Sequence, residues 1–319
     1  MANIRDVAKQ AGVSVTTVSR VLNDHPYVTQ EKRLAVEKAM EELGYHQNIN
    51  AIHLSKGETR LLGVAVPFIN HSYFSTLLNG IADRALVRDY NLVFYQTNYQ
   101  KGEESKALEA LKRKQIDGLM ILSRASDWNS VEAYQEFGPL VVCESSEHTR
   151  IPCVSVDHYE AFRYGMRYII DKGHRHIGYC IGRRTGTNSS LREKAYCEEL
   201  EYIGEPYRKS WVFNNCLTIE DGKRVVNEYV SLKEKPSALL ITSDQVAAGF
   251  RMEAEKRGIR VPHDVAILGF DNHPIAEALD LTTIELPLHE VGMSLVEKVS
   301  SKNPSSAIYP FELVERGSV

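Results

Sequence analysis

At 319 residues the chain is long enough for two or three domains, each burying a sizeable core. Its 38 Lys and Arg against 42 Asp and Glu leave a net charge of -4, so no global field draws it to nucleic acid and any such binding must be local and dimer-assisted. The five cysteines (Cys143, Cys153, Cys180, Cys197, Cys216) form no CxxC pair, the start lacks an apolar signal core, and no apolar run approaches the ~20 residues of a membrane span. The expectation is therefore a cytoplasmic protein with no membrane contact.

Asn3 can cap a first helix whose Ile4, Val7, Ala8 and Ala11 share one face. Gly12 supplies a bend, and Ser14 can cap a second helix with Val18, Val21 and Leu22 toward the same core. Two short helices joined by a Gly-containing turn make a helix-turn-helix. A third helix follows from Thr29, with Glu31 in its first turn, Leu34, Val36, Ala39, Met40 and Leu43 as apolar positions, and Gly44 at its end.

A helix N-terminus set into the major groove shows its first side chains to base edges, which makes Val15, Thr16 and Arg20 the base-facing candidates. Thr17, Ser19 and Asn23 are placed to donate to phosphates. By spacing alone, the same three helices also fit a protein-binding module.

Residues 48–60 read as a linker whose Ile49, Ala51, Ile52 and Leu54 can form an apolar strip. Fewer than ~12 residues make a marginal helix in water, so ordering there needs a partner.

From Leu61 short apolar runs alternate with amphipathic stretches, the pattern of parallel sheets flanked by helices. One set comprises Leu62 to Pro67, Leu92 to Gln96, Gly118 to Leu122 and Leu140 to Glu144. A second comprises Val154 to Asp157, Ile177 to Gly182, Trp211 to Phe213, Ala238 to Thr242 and Val265 to Phe270. Two open sheets of four or five strands imply two lobes, and ligands in such sheets bind beyond the carboxyl ends of the strands. The loops there offer Asn70, Tyr73, Phe74, Ser123, Arg124, Glu144 and Ser145 from the first set. The second offers Arg183, Asn188, Arg192, Leu217, Ser243, Asp244, Asp271 and Asn272. Carboxylates, amides, arginines and aromatics suit a polyhydroxylated ligand, though each residue taken singly also fits a surface or capping role.

The stretch from Ile4 to Asn23, Ile-Arg-Asp-Val-Ala-Lys-Gln-Ala-Gly-Val-Ser-Val-Thr-Thr-Val-Ser-Arg-Val-Leu-Asn, resembles the headpiece of the LacI/GalR family, and Glu42-Leu-Gly-Tyr45 resembles the end of its third helix. The likeness continues through Leu61-Leu-Gly-Val-Ala-Val, Ile116-Asp-Gly-Leu119, Gly173-His-Arg-His-Ile-Gly178, Pro236-Ser-Ala, Ser243-Asp-Gln, Gly269-Phe-Asp-Asn272 and Val314-Glu-Arg-Gly317. The family fold it implies is a small all-α helix-turn-helix headpiece plus an α/β, two-lobed, periplasmic-binding-protein-like core of two doubly wound parallel sheets. The implied domains are a headpiece at 1–47, a hinge at 48–60, one lobe of 61–156 with 286–308, and a second of 157–285 with 309–319. The chain would then cross near Asp157, near Glu285 and in a final strand around Tyr309 to Val314.

By the same resemblance, Leu54 sits where a family leucine wedges into the minor groove, although a passive linker also fits, and Asp271 and Arg192 sit at effector-contacting positions. Gln47 stands where proline is common, and Ile52 and His53 where a basic residue is frequent. Within the family, the segment from Ile116 to Glu144 resembles regulators of maltose and maltodextrin operons.

The resemblance implies a homodimeric repressor of carbohydrate-utilisation genes, with pseudo-palindromic operator DNA and a small sugar, such as maltose, as partners and no cofactor. A catabolite-control regulator answering a phosphorylated carrier protein is the nearest alternative. An enzyme is disfavoured: there is no GxGxxG after the first strand, no GxxxxGK[ST] and no recognisable nucleophile context. His174 and His176 fit a loop entering a strand better than a metal site.

Overall fold

A computed structural model describes residues 2–46, 57–145 and 149–319, divided into two compact units, Met1–Thr59 and Arg60–Val319. The hinge positions Gln47, Ile49, Ala51, Ile52, His53 and Leu54 lie outside the described residues.

The first unit is built on α1 (Ile4–Gln10), α2 (Val15–Leu22) and α3 (Gln30–Leu43). Asn3 and Asp6 form a reciprocal capping box on α1, which satisfies amides that a helix start leaves orphaned. Gly12, at φ +65, makes the turn, and the Ser14 hydroxyl caps α2 by accepting from the Thr17 amide at 3.1 Å. Val7, Ala8, Val18, Val21, Val36 and Ala39 form the core, with Ile4, Val13, Leu22, Met40 and Leu43 against it. Leu34, read as a core position, is 58% exposed. It falls one residue off the stripe set by Val36 and Ala39, so it faces solvent.

The second unit contains two principal sheets. The first has the order β2 (Asn91–Gln96), β1 (Leu61–Val66), β3 (Gly118–Ile121), β4 (Leu140–Val142), all parallel, with Val64 opposite both Phe94 and Met120. β3 and β4 are buried throughout, as continuous apolar runs under helices on both faces require, whereas edge strand β2 is only partly covered. The second sheet has six strands, β12-β10-β9-β8-β6-β7: β6 is Ile177–Cys180, β7 Val212–Phe213, β8 Ala238–Ile241, β9 Ala266–Phe270, β10 Thr282–Glu285 and β12 Glu312–Val314.

Three details differ from the sequence reading. Val154–Val156 (β5) does not open the second sheet. It pairs in parallel with β11 (Ala307–Tyr309), and the Val142–Cys153 bridge ties it to the first sheet. The stretch Tyr309 to Val314 is two strands interrupted at Pro310 and Phe311; Tyr309 pairs with Val156, while β12 runs antiparallel to β10. β10 itself escaped notice because Thr282-Thr-Ile-Glu carries a single large apolar side chain.

Each lobe is braced by a helix pair brought to backbone contact through reciprocal glycines. A Cβ at Gly80 in Ser72–Val87 would stand 2.0 Å from the His289 carbonyl oxygen, and one at Gly292 in Leu288–Val299 2.2 Å from that of Leu77. Helices Ile219–Ser231 and Asp244–Lys256 repeat the device. Gly222 meets the Val246 oxygen at 2.1 Å and Gly249 that of Ile219 at 2.0 Å.

Candidate functional site

On the first unit, α2 turns Val18 and Val21 into the core and leaves its other face to solvent. Val15 is 42% exposed, and Thr16 and Arg20 are also exposed, so the three candidate base readers share the open side of the helix, Val15 and Thr16 at its start and Arg20 in its last turn. Thr17 is half-buried with its hydroxyl 2.9 Å from Ser14 Oγ, a tie that serves the cap. Ser19 is half-buried, and the exposed Asn23 donates its amide to the Ser19 carbonyl at 2.8 Å.

In the second unit a cavity of about 90 Å³ lies between the ends of the two sheets. The four-stranded side contributes Tyr73, Phe74, Tyr99, Ser123 and Glu144; the six-stranded side contributes Arg183, Asn188, Arg192, Leu217 and Ser243. Asn70 is exposed and does not line it, and Arg124 lies behind Glu144, which its backbone and side chain both bond.

Asp244 does not line the cavity either. Its carboxylate is fully buried, accepts from the His273 amide and the Thr283 hydroxyl at 2.8 Å each, and lies against Gly269, where a Cβ would come within 2.1 Å. It is a brace for the loop after β9, and burial, with Asp271 nearby, raises its pKa well above the usual carboxylate value.

That loop carries Asp271 at φ +96 and Asn272 at φ +47, conformations that side-chain-bearing residues seldom adopt and that cost on the order of 1–3 kcal/mol each. The Asp271 amide bonds the Ile284 carbonyl at 2.9 Å, and Arg316 holds Asn272 Oδ1 at 3.0 Å. The Asp271 carboxylate, like that of Asp244, is not among the cavity-lining groups, and both its oxygens are buried without a hydrogen-bond partner among the described residues. Burial pushes its pKa up to about 7, against the pull of Arg192.

Arg192 projects from helix Thr187–Tyr202 with its guanidinium 5.5 Å from the Phe270 ring centroid, and its Nη2 lies 3.1 Å from His158 Nδ1. Arginine only donates, so Nδ1 accepts and the imidazole proton sits on Nε2. Burial and Arg192 lower the pKa of His158 well below the usual imidazole value and that of His71 to about 4, so both rings are neutral near pH 7. Tyr73 stands edge-on to Phe74 at 5.2 Å, and burial raises its hydroxyl pKa.

His71, Tyr99, Thr187 and His158 were not singled out in the sequence. Tyr99 follows β2 and obeys the carboxyl-end rule, so that rule applied to every run would have found it. His158 directly follows the Val154 to Asp157 run, so the same rule would have found it too. Among the described residues no helix is long and apolar enough to cross a membrane, and no cluster of His, Cys, Asp and Glu has metal-site geometry; His174 instead meets Ser237 at 2.9 Å.

Residues 59–310 match the family described as periplasmic binding proteins and sugar binding domain of LacI family, and residues 3–48 that described as bacterial regulatory proteins, lacI family. The chain is 44% identical over 323 residues to the uncharacterized HTH-type transcriptional regulator YkvZ of Bacillus subtilis (strain 168), covering 100% of both proteins. It is 37% identical over 299 residues to catabolite control protein B of the same organism, covering 92% of this chain and 93% of that one. Among solved structures, the lac repressor dimer bound to operator and the anti-inducer ONPF is similar with a TM-score of 0.85 at 25% identity, covering 99% of this chain and 98% of that one. An exposed second helix, a polar interlobe cavity and these two family matches converge: the chain belongs to the LacI family of bacterial DNA-binding transcriptional regulators.

Proposed function

We propose that this regulator is a homodimeric repressor that reads a pseudo-palindromic operator through α2 and answers a small polyhydroxylated effector, a single sugar ring, in the interlobe cavity. The observation that carries the reading is a ring of orphaned polar atoms. Asn188 Oδ1, Arg192 Nε, Ser243 Oγ, His71 Nδ1 and both oxygens of Asp271 are buried without a hydrogen-bond partner among the described residues. Unpaired buried groups cost about 1–3 kcal/mol apiece; His71, Asn188, Arg192 and Ser243 line the cavity and Asp271 stands behind them, near enough to act on Arg192, so their gathering there points to a ligand that supplies both donors and acceptors. Phe74 and Leu217 offer apolar surface for a ring face. The volume of about 90 Å³ is several times the roughly 10–15 Å³ that one water needs, so the cavity has room for more than solvent.

In this reading Val15, Thr16 and Arg20 meet base edges, Thr17, Ser19 and Asn23 meet phosphates, and Leu54 wedges the minor groove. The lobes in this reading are 61–156 with 286–309 and 157–285 with 310–319: the pairing of β11 with β5 puts Tyr309 with the first lobe, not the second as the sequence suggested, and that of β12 with β10 supports the rest of the division. Closure on the effector changes the spacing of the paired hinges and so the affinity for the operator. The likeness to catabolite control protein B favours one further reading, a role in carbon-source control with a phosphorylated carrier protein as the input.

Calorimetric titration of the full-length protein with monosaccharides, disaccharides and a phosphorylated carrier protein tests these readings. Saturable binding of a monosaccharide, lost on Asp271→Ala, is the expected result; binding of the carrier alone overturns the sugar reading.

A further inference from the structure

One part of the cleft between the sheets is bridged by the protein's own side chains. Arg183, from the six-stranded side, lies over the Tyr99 ring with its guanidinium carbon 3.6 Å from the centroid. It also donates to Ser123 Oγ at 3.3 Å and to the Arg124 carbonyl at 3.2 Å. A few residues on, Thr187 donates its hydroxyl to Glu144 Oε2 at 3.0 Å and accepts from Arg124 Nη2 at 3.1 Å.

The receiving side is rigid. Glu144 is 2% exposed and also accepts from the Ser123 hydroxyl at 3.2 Å, the Arg124 amide at 2.8 Å and Arg124 Nε at 3.1 Å. Arg124 stacks on Trp128 at 3.6 Å and reaches the Ser126 carbonyl at 2.7 Å, while the fully buried Glu104 accepts from the amides of Ala125 and Ser126.

Two features make the bridge a fitted one. Gly186, the N-cap of Thr187–Tyr202, has φ +117, and a Cβ there would fall 2.5 Å from Arg183 Nη2; only glycine accommodates both the turn and the guanidinium laid across it. That helix start has no side-chain cap of its own. Thr187, its first residue, holds the Glu144 carboxylate there, where the helix dipole favours negative charge. The Glu144–Arg124 pair is thus buried and bonded by the protein's own groups, in contrast to the orphaned atoms of Asn188, Arg192, Ser243 and Asp271.

We infer that Arg183 and Thr187 clasp Tyr99, Ser123, Arg124 and Glu144 without any effector, so that the protein fills one part of its own cleft and leaves effector recognition to the rest. Arg183, Thr187 and Tyr99 are then specificity determinants of a steric kind: they occupy the space a second sugar ring would need. The clasp stands by itself; the size limit rests on the sugar reading.

The test uses the full-length, effector-free protein with Cys197→Ser and spin labels at the exposed positions of Ser105→Cys and Lys194→Cys, the labelled subunits diluted in unlabelled ones. Pulsed dipolar spectroscopy should show one narrow distance distribution across the cleft. Arg183→Met with Thr187→Val should shift it to longer, broader distances, with Arg183→Lys intermediate because it keeps the charge and loses the planar stack; circular dichroism checks that each variant is folded. A broad distribution in the unaltered clasp, or the same narrow one in the double variant, overturns the inference. No effector enters the measurement, so its failure is distinct from a failure of the sugar reading, which the titration decides.

Discussion

Arg192 and Asp271 face each other closely enough for each to shift the other's ionisation, yet no hydrogen bond joins them. Arg192 spends Nη2 on His158, and Asp271 is held on a strained loop with both oxygens open. Buried charge left unbonded in this way is costly, and under the proposed function it is the effector that bridges the pair.

Asp271→Asn should therefore stabilise the effector-free protein at high pH. The carboxyl is raised from 3.8 to about 7, so between those values the folded state holds a proton that the unfolded chain has released. Its contribution is nil below about pH 4, turns increasingly unfavourable as pH rises through the window, and is constant above about 7. Removing the ionisable group should add on the order of a few kcal/mol at pH 8 and nothing near pH 4, read from urea melts across that range. Equal gains at both ends would refute the assignment.

Arg192→Met should weaken effector binding at least tenfold, the cost of losing a charge-assisted bond, while effector-free operator affinity stays within twofold of the parent. Unchanged effector affinity by calorimetry would remove Arg192 from the effector site.

Arg20→Ala should cost about 1–3 kcal/mol at one base pair of each half-site and relax the preference there. The check is a binding series over all four bases at every operator position. A uniform loss across sequences would mean that Arg20 meets phosphate.

Ser14→Ala removes the hydroxyl that caps α2 and bonds Thr17. Typical N-cap losses of about 1 kcal/mol should appear as faster amide exchange within the first unit alone. Protection equal to that of the parent would show that the cap contributes nothing measurable.

Gly249→Ala inserts a methyl into a 2.0 Å gap against the Ile219 backbone, which cannot yield as a side-chain tip would. Overpacking of about 1–3 kcal/mol should lower the melting temperature of the second unit. An unaltered melting temperature would show that the helix pair spreads without cost.

Local pattern was enough for the three-helix module, because caps, bends and apolar faces within a few residues of one another decide those elements: Asn3, Gly12, Ser14 and Gly44 each act on their own neighbours. It was enough too for the parallel strands, whose burial on both faces writes continuous apolar runs. It also brought Glu144, Arg192 and Asp271 onto one list through the carboxyl-end rule. What those side chains do was decided by partners distant in the chain. Asp244 braces Thr283 and His273, and Glu144 is taken by Arg124 and Thr187, whereas Asp271 is left open by a backbone turn that Ile284 and Arg316 hold. Three carboxylates that look alike along the chain thus become a brace, a clasp and a candidate ligand contact. The fate of a charged group depends on which donors the fold brings to about 3 Å from it, and those donors lie 20 to 43 residues away.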